Sequence, residues 1–176
     1  MAKIIAGVGV KYKILTWTDV QNECNNLCRR MYEKKYRPQC VIGLLRGGIV
    51  PARIFSDYFD ILLDFYALDV KLYDGINKRR DEPTVKAFNG DVKDKSILIV
   101  DDIWDSGKTM KAVLNTLEGE DITTATLFWK EKADKKPDYY AKVAKKNEWI
   151  VFPWERDEFR RELIKGKDNE RKDKDK

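Results

Sequence analysis

The stretch from residue 97 to residue 109 reads ILIVDDIWDSGKT. It begins with four apolar residues, which predict a buried strand, and Asp101 and Asp102 follow directly. Gly107 permits a positive φ in the next loop, and apolar residues at helical spacing come after Thr109. The pattern predicts a strand that delivers two carboxylates to a sheet edge, then a glycine-containing loop, then a helix.

The predicted loop combines an anion site with carboxylates. The backbone N–H groups of residues 105–109 would lie at a helix N-terminus, which favours a bound phosphate. Ser106 and Thr109 add hydroxyl groups, and Asp105 adds a third carboxylate. Carboxylates repel a nearby phosphate unless they hold sugar hydroxyls, a metal or another cation. A phosphorylated ribose meets that condition, with its phosphate in the loop and its hydroxyls on the aspartates.

Two other interpretations of this stretch are possible besides a sugar-phosphate site. Residues 107–109 read GKT, like the end of a P-loop, but that motif needs Gly at position 102, where this chain has Asp. The acids could also belong to a solvated turn, since acidic residues are common at helix starts. The specific run of residues after a strong strand favours the sugar-phosphate site over both.

The flanking segments alternate between strand and helix patterns. A helix is predicted over 18–35, with Thr18 and Gln21 as a capping box. A second helix is predicted from Pro51, with Ile54, Phe55, Tyr58 and Phe59 on its inner face. The predicted strands cover residues 40–45, 60–69, 96–100, 123–129 and 149–152. This alternation predicts an α/β fold, a mostly parallel central sheet flanked by helices, with ligands beyond the carboxyl ends of its strands.

Residues 70–92 break the alternation. They are polar and basic and include three consecutive cations, Lys78, Arg79 and Arg80. A structureless stretch of about 20 residues inside a compact domain is uncommon and usually functional. We therefore expect a mobile hood or lid over 70–90 that closes on a negatively charged substrate.

Length and charge limit the classes of protein. The chain has 176 residues, which predicts a single domain over 1–165, followed by a charged, disordered tail over 166–176. Lys and Arg total 35 and Asp and Glu total 30, so the net charge is only +5. This balance lacks the one-sided charge of a dedicated nucleic-acid binder, and no nucleic-acid partner is expected.

Missing residue types exclude further classes. The chain has no histidine, which excludes Ser-His-Asp triads and His-ligated zinc or haem sites. No apolar run approaches 18 residues, and the N-terminus is too weakly apolar for a secretory signal, so no membrane partner is expected. Cys24, Cys28 and Cys40 do not make a disulfide framework. We expect them to be small buried side chains in a reducing cytoplasm.

Residues 97–109 resemble the phosphoribosyl-pyrophosphate motif of the type I phosphoribosyltransferases. That motif has four hydrophobic residues, two acids, two variable positions, Asp, Thr or Ser, Gly, any residue and Thr. The resemblance extends to the bacterial and archaeal xanthine-guanine members of the family and covers about residues 13–155. Leu15-Thr16-Trp17 resembles their N-terminal strand, and the segment from Leu45 to Pro51 resembles their pyrophosphate loop. Trp149-Ile150 and Pro153-Trp154-Glu155 resemble their purine-binding end.

The resemblance implies a role for each matching residue. Asp105 would act as general base near the purine N7. The ribose and its 5′-phosphate would be held by Asp101, Asp102, Ser106, Gly107, Lys108 and Thr109. Pyrophosphate would be bound by Arg46 and Gly47, and the purine base by Lys130, Trp149 and Ile150. Mg²⁺ would be held by Asp101, Asp102 and Glu155, where the family usually has Asp at the last position.

Departures from the family pattern concern the base site. Lys130 is followed by Glu131-Lys132 instead of Pro, which leaves open whether Lys130 or Lys132 contacts the base. A solvated lysine at 130 and a core-packed tryptophan at 149 are the alternatives to base binding. Because an ammonium donates to a 6-oxo group and cannot accept from a 6-amino group, Lys130 predicts a 6-oxopurine substrate.

The resemblance thus implies a cytoplasmic purine phosphoribosyltransferase, a glycosyltransferase of purine salvage. It would use Mg²⁺ to transfer the 5-phosphoribosyl group from phosphoribosyl pyrophosphate to guanine, hypoxanthine or xanthine. The family further implies a homodimer or homotetramer. The alternative is a transcriptional regulator of the same fold that binds phosphoribosyl pyrophosphate or a nucleotide without catalysis. The presence of Asp105 and of the base-end residues favours the enzyme.

Overall fold

A computed structural model describes residues 2–6, 11–59, 64–73, 79–117, 121–133 and 135–164. The strands are β1 (Lys3–Ala6), β2 (Lys11–Ile14), β3 (Cys40–Leu45), β4 (Asp64–Tyr73), β5 (Arg79–Val85), β6 (Ser96–Trp104), β7 (Asp121–Lys130), β8 (Tyr139–Ala144) and β9 (Glu148–Val151). The helices are α1 (Trp17–Glu33), α2 (Ile49–Phe59), α3 (Lys108–Thr116) and α4 (residues 156–164). A short 3₁₀ helix, Pro153–Glu155, precedes α4.

These elements divide into two compact units. One unit takes its sequence from both ends of the chain, residues 1–20 and 147–176, and the other comprises residues 21–146. The single domain over 1–165 stays a prediction, and the predicted tail over 166–176 lies outside the described residues. In the described part of the chain, no helix is both long enough and apolar enough to cross a membrane.

The unit of residues 21–146 is built on a six-stranded sheet in the order β5-β4-β3-β6-β7-β8. Only β5 is antiparallel to its neighbour, and the other neighbouring pairs are parallel. The central strands β3 and β6 are almost wholly buried, as expected for parallel strands covered on both faces. The predicted mostly parallel α/β sheet is confirmed.

The unit formed by the two chain ends contains a small mixed sheet. Strand β2 pairs antiparallel with β1 and parallel with β9. The Arg156 guanidinium donates to the Leu15 carbonyl at 2.7 Å, which ties the start of α4 to the chain after β2. The rings of Trp17 and Trp154 lie 5.8 Å apart.

Helix α1 begins at a different residue than predicted. The Thr16 hydroxyl accepts from the Asp19 N–H at 3.1 Å, and an Asp19 carboxylate oxygen accepts from the Thr16 N–H at 2.9 Å. Thr16 and Asp19 therefore form the capping box, and the predicted box of Thr18 and Gln21 is wrong. The predicted strand at Leu15-Thr16-Trp17 is wrong for the same reason, because the cap starts the helix at Trp17.

The three cysteines are free and fully buried, as predicted. Cys24 and Cys28 lie on the apolar stripe of α1 with Leu27 and Met31, and Cys40 opens β3. Burial raises the pKa of the Cys24 and Cys40 thiols to about 12 and raises that of Cys28 as well. These thiols stay protonated at neutral pH and act as packing groups.

The predicted inner face of helix α2 is confirmed in part. Phe55 is fully buried and Ile54 and Phe59 are half-buried, but Tyr58 is exposed, and Pro51, Ala52 and Ser56 are buried as well. The close packing against β3 decides this face, because a Cβ atom on Gly43 would lie 2.8 Å from the Cβ of Ala52. The apolar pattern alone could not distinguish Tyr58 from the core positions.

Residues 70–73 and 79–85 form strands where a structureless stretch was predicted. Strand β4 continues to Tyr73, and β5 pairs with it antiparallel, with Val70 opposite Val85. Lys78 lies outside the described residues, as do the side chains of Arg79 and Arg80. The prediction of a structureless stretch is wrong at 79–85, and closure of this ribbon as a lid stays a prediction.

Candidate active site

The topology of the sheet marks one edge as the ligand site. Strand β3 leads through α2 to β4 on one side, whereas β6 lies on the other side of β3. The chain direction thus diverges between β3 and β6, and ligands of open parallel sheets bind beyond the carboxyl ends of the strands at such a point. The residues that follow these two ends are Arg46-Gly47-Gly48 and the acid pair with its loop.

The loop after β3 packs directly on the acid pair. A Cβ atom on Gly47 would lie 1.8 Å from Asp102 Oδ2, and one on Gly48 would lie 2.4 Å from the Val100 carbonyl oxygen. The peptide bond between Leu45 and Arg46 is cis. Glycine is required at both positions because no side chain fits. The two segments with predicted pyrophosphate and ribose roles are therefore neighbours in space.

The two acids lie within β6, because this strand continues to Trp104 and does not end at Val100 as predicted. Asp102 is buried, and its N–H donates to Asp101 Oδ1 at 3.0 Å. Burial and the neighbouring Asp102 carboxylate raise the pKa of Asp101 well above its usual range. Two adjacent carboxylates that are shielded from water repel each other when both are ionised. This pair is therefore suited to bind a cation or hydroxyl donors.

The loop between β6 and α3 has the geometry of an anion site. Gly107 adopts a φ of 79° and precedes the first residue of α3, whose early N–H groups face the loop. The Lys108 N–H donates to Ser106 Oγ at 3.4 Å. A Cβ atom on Gly107 would lie 2.7 Å from Nε1 of Trp104, which is buried beneath it. Both the backbone angle and this indole therefore require glycine.

Asp105 is held by two lysines. Its Oδ1 lies 3.3 Å from Lys130 Nζ and 2.9 Å from Lys132 Nζ. Burial by itself would raise the pKa of Asp105, but the close contact with Lys132 and the charges of both lysines outweigh it and lower the pKa. The carboxylate is therefore ionised at neutral pH, as an acceptor of a proton must be.

Lys130 is buried, so the alternative of a solvated lysine is wrong. It is the last residue of β7, and the strand brings its ammonium to the same edge of the sheet as the acid pair. Lys132 lies in the following turn with 41% of its side chain exposed. The sequence left open which lysine contacts a base, and it gave no sign that both contact Asp105.

The remaining predicted residues lie in the unit formed by the chain ends. Trp149 on β9 is 54% exposed, so core packing, the alternative to base binding, is wrong for this residue. The neighbouring Ile150 is buried, which leaves its backbone as the group that could meet a base. Glu155 Oε2 accepts from the Phe152 N–H at 3.3 Å and caps the 3₁₀ helix.

A glycine loop, an acid pair and a helix N-terminus at one edge of a parallel sheet define a class of α/β ligand-binding protein. Comparison with known proteins specifies the family. The model of the phosphoribosyl transferase domain matches residues 13–157. The chain therefore belongs to the phosphoribosyltransferase family.

Three relatives illustrate the similarity. The hypoxanthine-guanine phosphoribosyltransferase of Mycoplasma genitalium is 30% identical over 168 residues, which cover 89% of this chain and 94% of that protein. The xanthine-guanine phosphoribosyltransferase of Desulfotalea psychrophila is 28% identical over 142 residues, or 80% and 84% of the two chains. The crystal structure of a Pyrococcus horikoshii purine phosphoribosyltransferase matches with a TM-score of 0.69 and 33% identity, covering 81% and 93%. All three names denote enzymes, and the non-catalytic regulator gains no support from them.

Proposed function

We propose that this protein is a purine-salvage enzyme that transfers the 5-phosphoribosyl group of phosphoribosyl pyrophosphate to a 6-oxopurine. The products are a nucleoside monophosphate and pyrophosphate. The observation that carries the proposal is the contact of Gly47 with Asp102 at the switch point of the sheet. This contact places the glycine loop after β3, which suits a phosphate group, beside the acid pair. The anion site at the start of α3 follows the acid pair in the chain.

In this proposal, each group of residues at the carboxyl ends of the strands binds a different part of the substrate. The loop of Ser106, Gly107, Lys108 and Thr109 binds the 5′-phosphate through backbone N–H and hydroxyl groups. Asp101 and Asp102 accept hydrogen bonds from the ribose hydroxyls. Arg46 and the Gly47 N–H bind the pyrophosphate group, and the closed site excludes water from ribose C1.

The transfer step exchanges one bond at ribose C1 for another. The C1–oxygen bond to pyrophosphate breaks with its electron pair on oxygen, and a purine ring nitrogen forms the new bond to C1. The transition state resembles an oxocarbenium ion, as in glycoside chemistry. As purine N9 forms the bond to C1, the proton on N7 passes to Asp105, whose ionised carboxylate lies beside the two lysines.

The acid pair fits Mg²⁺, the cofactor that the family implies. Mg²⁺ prefers oxygen ligands and is usually bound through one or two carboxylates plus substrate phosphates. No group of three acidic, Cys or His side chains suited to a metal occurs in the described ranges, so Asp101 and Asp102 would share the ion with substrate oxygens. Bound there, Mg²⁺ would neutralise charge on the leaving pyrophosphate.

The preference for a 6-oxopurine rests on Lys130. Its buried ammonium can donate to a purine 6-oxo group, whereas a 6-amino group offers it no acceptor. The relatives named above act on hypoxanthine, guanine or xanthine by name. Base stacking on exposed Trp149, edge contacts to the Ile150 backbone, self-association and a cytoplasmic location are parts of the same proposal.

The test is the formation of pyrophosphate from phosphoribosyl pyrophosphate, Mg²⁺ and guanine. We expect release that requires all three, and a decrease of about 10²–10⁴-fold in kcat for Asp105→Asn, the usual range for lost acid–base help. Lys136→Met serves as control, since Lys136 is exposed in the same connection between β7 and β8. No release with any 6-oxopurine, or an unchanged Asp105→Asn variant, would contradict the proposal.

A further inference from the structure

We propose that Lys132 is a positioning residue that holds the Asp105 carboxylate while Lys130 turns to the purine. The inference rests on the function proposed above and deepens it, because it concerns the same site. The family resemblance accounts for one lysine at the base, whereas this chain places two lysines on the carboxylate of the general base.

The two contacts share one oxygen atom. Asp105 Oδ1 lies within ion-pair distance of both ammonium groups, and the Lys132 contact, at 2.9 Å, is the shorter. The Lys130 contact is the longer one at 3.3 Å, and a turn of its ammonium toward a purine 6-oxo group would lengthen it further. A carboxylate held only by Lys130 would therefore lose part of its support when the base binds.

Burial separates the roles of the lysines. Lys130 exposes 9% of its side chain, so its ammonium moves within a closed space when it turns to the purine. Lys132 exposes 41% and can approach Asp105 from the solvent side without a matching change. The lysine that turns to the base is thus Lys130, and the lysine that stays is Lys132.

The backbone fixes Lys132 at this place. The Ala133 N–H donates to the Lys130 carbonyl at 3.0 Å and closes a tight turn directly after β7. At the ends of β6 and β7, Trp104 lies opposite Trp129, so this turn begins beside the loop that carries Asp105. The turn and the strand register therefore place residue 132 within reach of Asp105.

The charged groups that act on the Asp105 carboxylate are Lys130 at the end of β7 and Lys132 in the turn. Both lower the pKa of Asp105. Without the Lys132 charge, that pKa must rise, and the carboxylate becomes protonated at a higher pH than in the wild type. This rise in the pKa of Asp105 should be larger with a bound purine nucleotide, because Lys130 then contacts the purine.

The experiment is a pH titration of Asp105 by carbon-13 NMR in protein labelled at its aspartate carboxyl groups. The Asp105→Asn spectrum assigns the signal, and the samples are the wild type, Lys132→Met, Lys132→Arg and the control Lys136→Met. Each is titrated with and without guanosine 5′-monophosphate. Thermal melts of the same samples verify folding.

We expect Lys132→Met to move the Asp105 titration to higher pH, and further with the nucleotide bound. Lys132→Arg should restore the wild-type curve, and Lys136→Met should not change it. In parallel, kcat/KM for guanine should fall about two- to five-fold in Lys132→Met, the size of a half-exposed ion pair, with its acid limb shifted upward. Identical titrations of Lys132→Met and the wild type in both states would overturn the proposal. Since the titration needs no turnover, an inactive wild type would refute the proposed function and leave this result readable.

Discussion

Gly47→Ala tests the contact on which the site depends. The three atoms nearest to an added Cβ all belong to the Asp102 carboxylate, at 1.8, 2.4 and 2.9 Å. Ordinary carbon contacts begin near about 3.5 Å. The carboxylate or the loop must therefore move by about 1.7 Å. Asp102 is buried and has a short side chain.

The expected effect is on both catalysis and stability. A displacement of about 1 Å at a reacting centre can cost about 10²-fold in rate, so kcat/KM for phosphoribosyl pyrophosphate should fall by about that factor. The melting temperature should also fall, because the clash displaces a buried carboxylate within the central strand β6. Steady-state kinetics with varied phosphoribosyl pyrophosphate, together with thermal melts, separate the two effects.

Thr116→Ala is the control. Thr116 is exposed at the C-terminal end of α3, and its hydroxyl donates to the Ala112 carbonyl at 2.9 Å. We expect kinetics close to wild type for this variant. Unchanged kinetics of Gly47→Ala, or an equal loss in both variants, would refute the inferred contact between the glycine loop and Asp102.

Three further predictions use other contacts. Gly107→Ala should weaken phosphoribosyl pyrophosphate binding and cost about 1–2 kcal/mol of unfolding free energy, because the residue has φ 79° and faces the Trp104 indole. Binding titrations and denaturant unfolding measure the two effects. An unaltered midpoint of denaturant unfolding would count against this prediction. The raised pKa of Asp101 means that the folded state binds its proton more tightly, so without Mg²⁺ the free energy of unfolding should decline as pH rises above the ordinary Asp range. Asp101→Asn should flatten that decline in chemical denaturation, and an identical slope would contradict the assignment. Thr16→Ala should cost about 1 kcal/mol through loss of the cap shared with Asp19, whereas a change below about 0.3 kcal/mol would argue against the capping box.

The central strands could be predicted from sequence because they are buried on both faces. Cys40–Leu45 is a continuous apolar run, and its predicted and observed bounds agree. Strand β8 was missed because it lies at the sheet edge and its Tyr139–Ala144 sequence has few buried residues. Strand β2 was missed because two of its four residues are lysines.

The residues of the candidate site could be proposed from the sequence, but their contacts in space could not. The order of acids, glycine and hydroxyl residues in 97–109 is a local pattern, and local patterns can be read along the chain. The contacts of Gly47 with Asp102 and of Asp105 with Lys132 join distant positions in the sequence. They depend on which strands lie side by side, which periodicity does not determine.

The measurement that tests the central claim most directly is a competition among four bases. Guanine, hypoxanthine, xanthine and adenine are supplied in equal amounts with limiting phosphoribosyl pyrophosphate and Mg²⁺, and the nucleoside monophosphates are quantified by mass spectrometry. The buried ammonium of Lys130 at the edge of the sheet predicts that the 6-oxopurine nucleotides form and that adenosine monophosphate is a trace product. Adenosine monophosphate as the main product, or no nucleotide at all, would contradict the account.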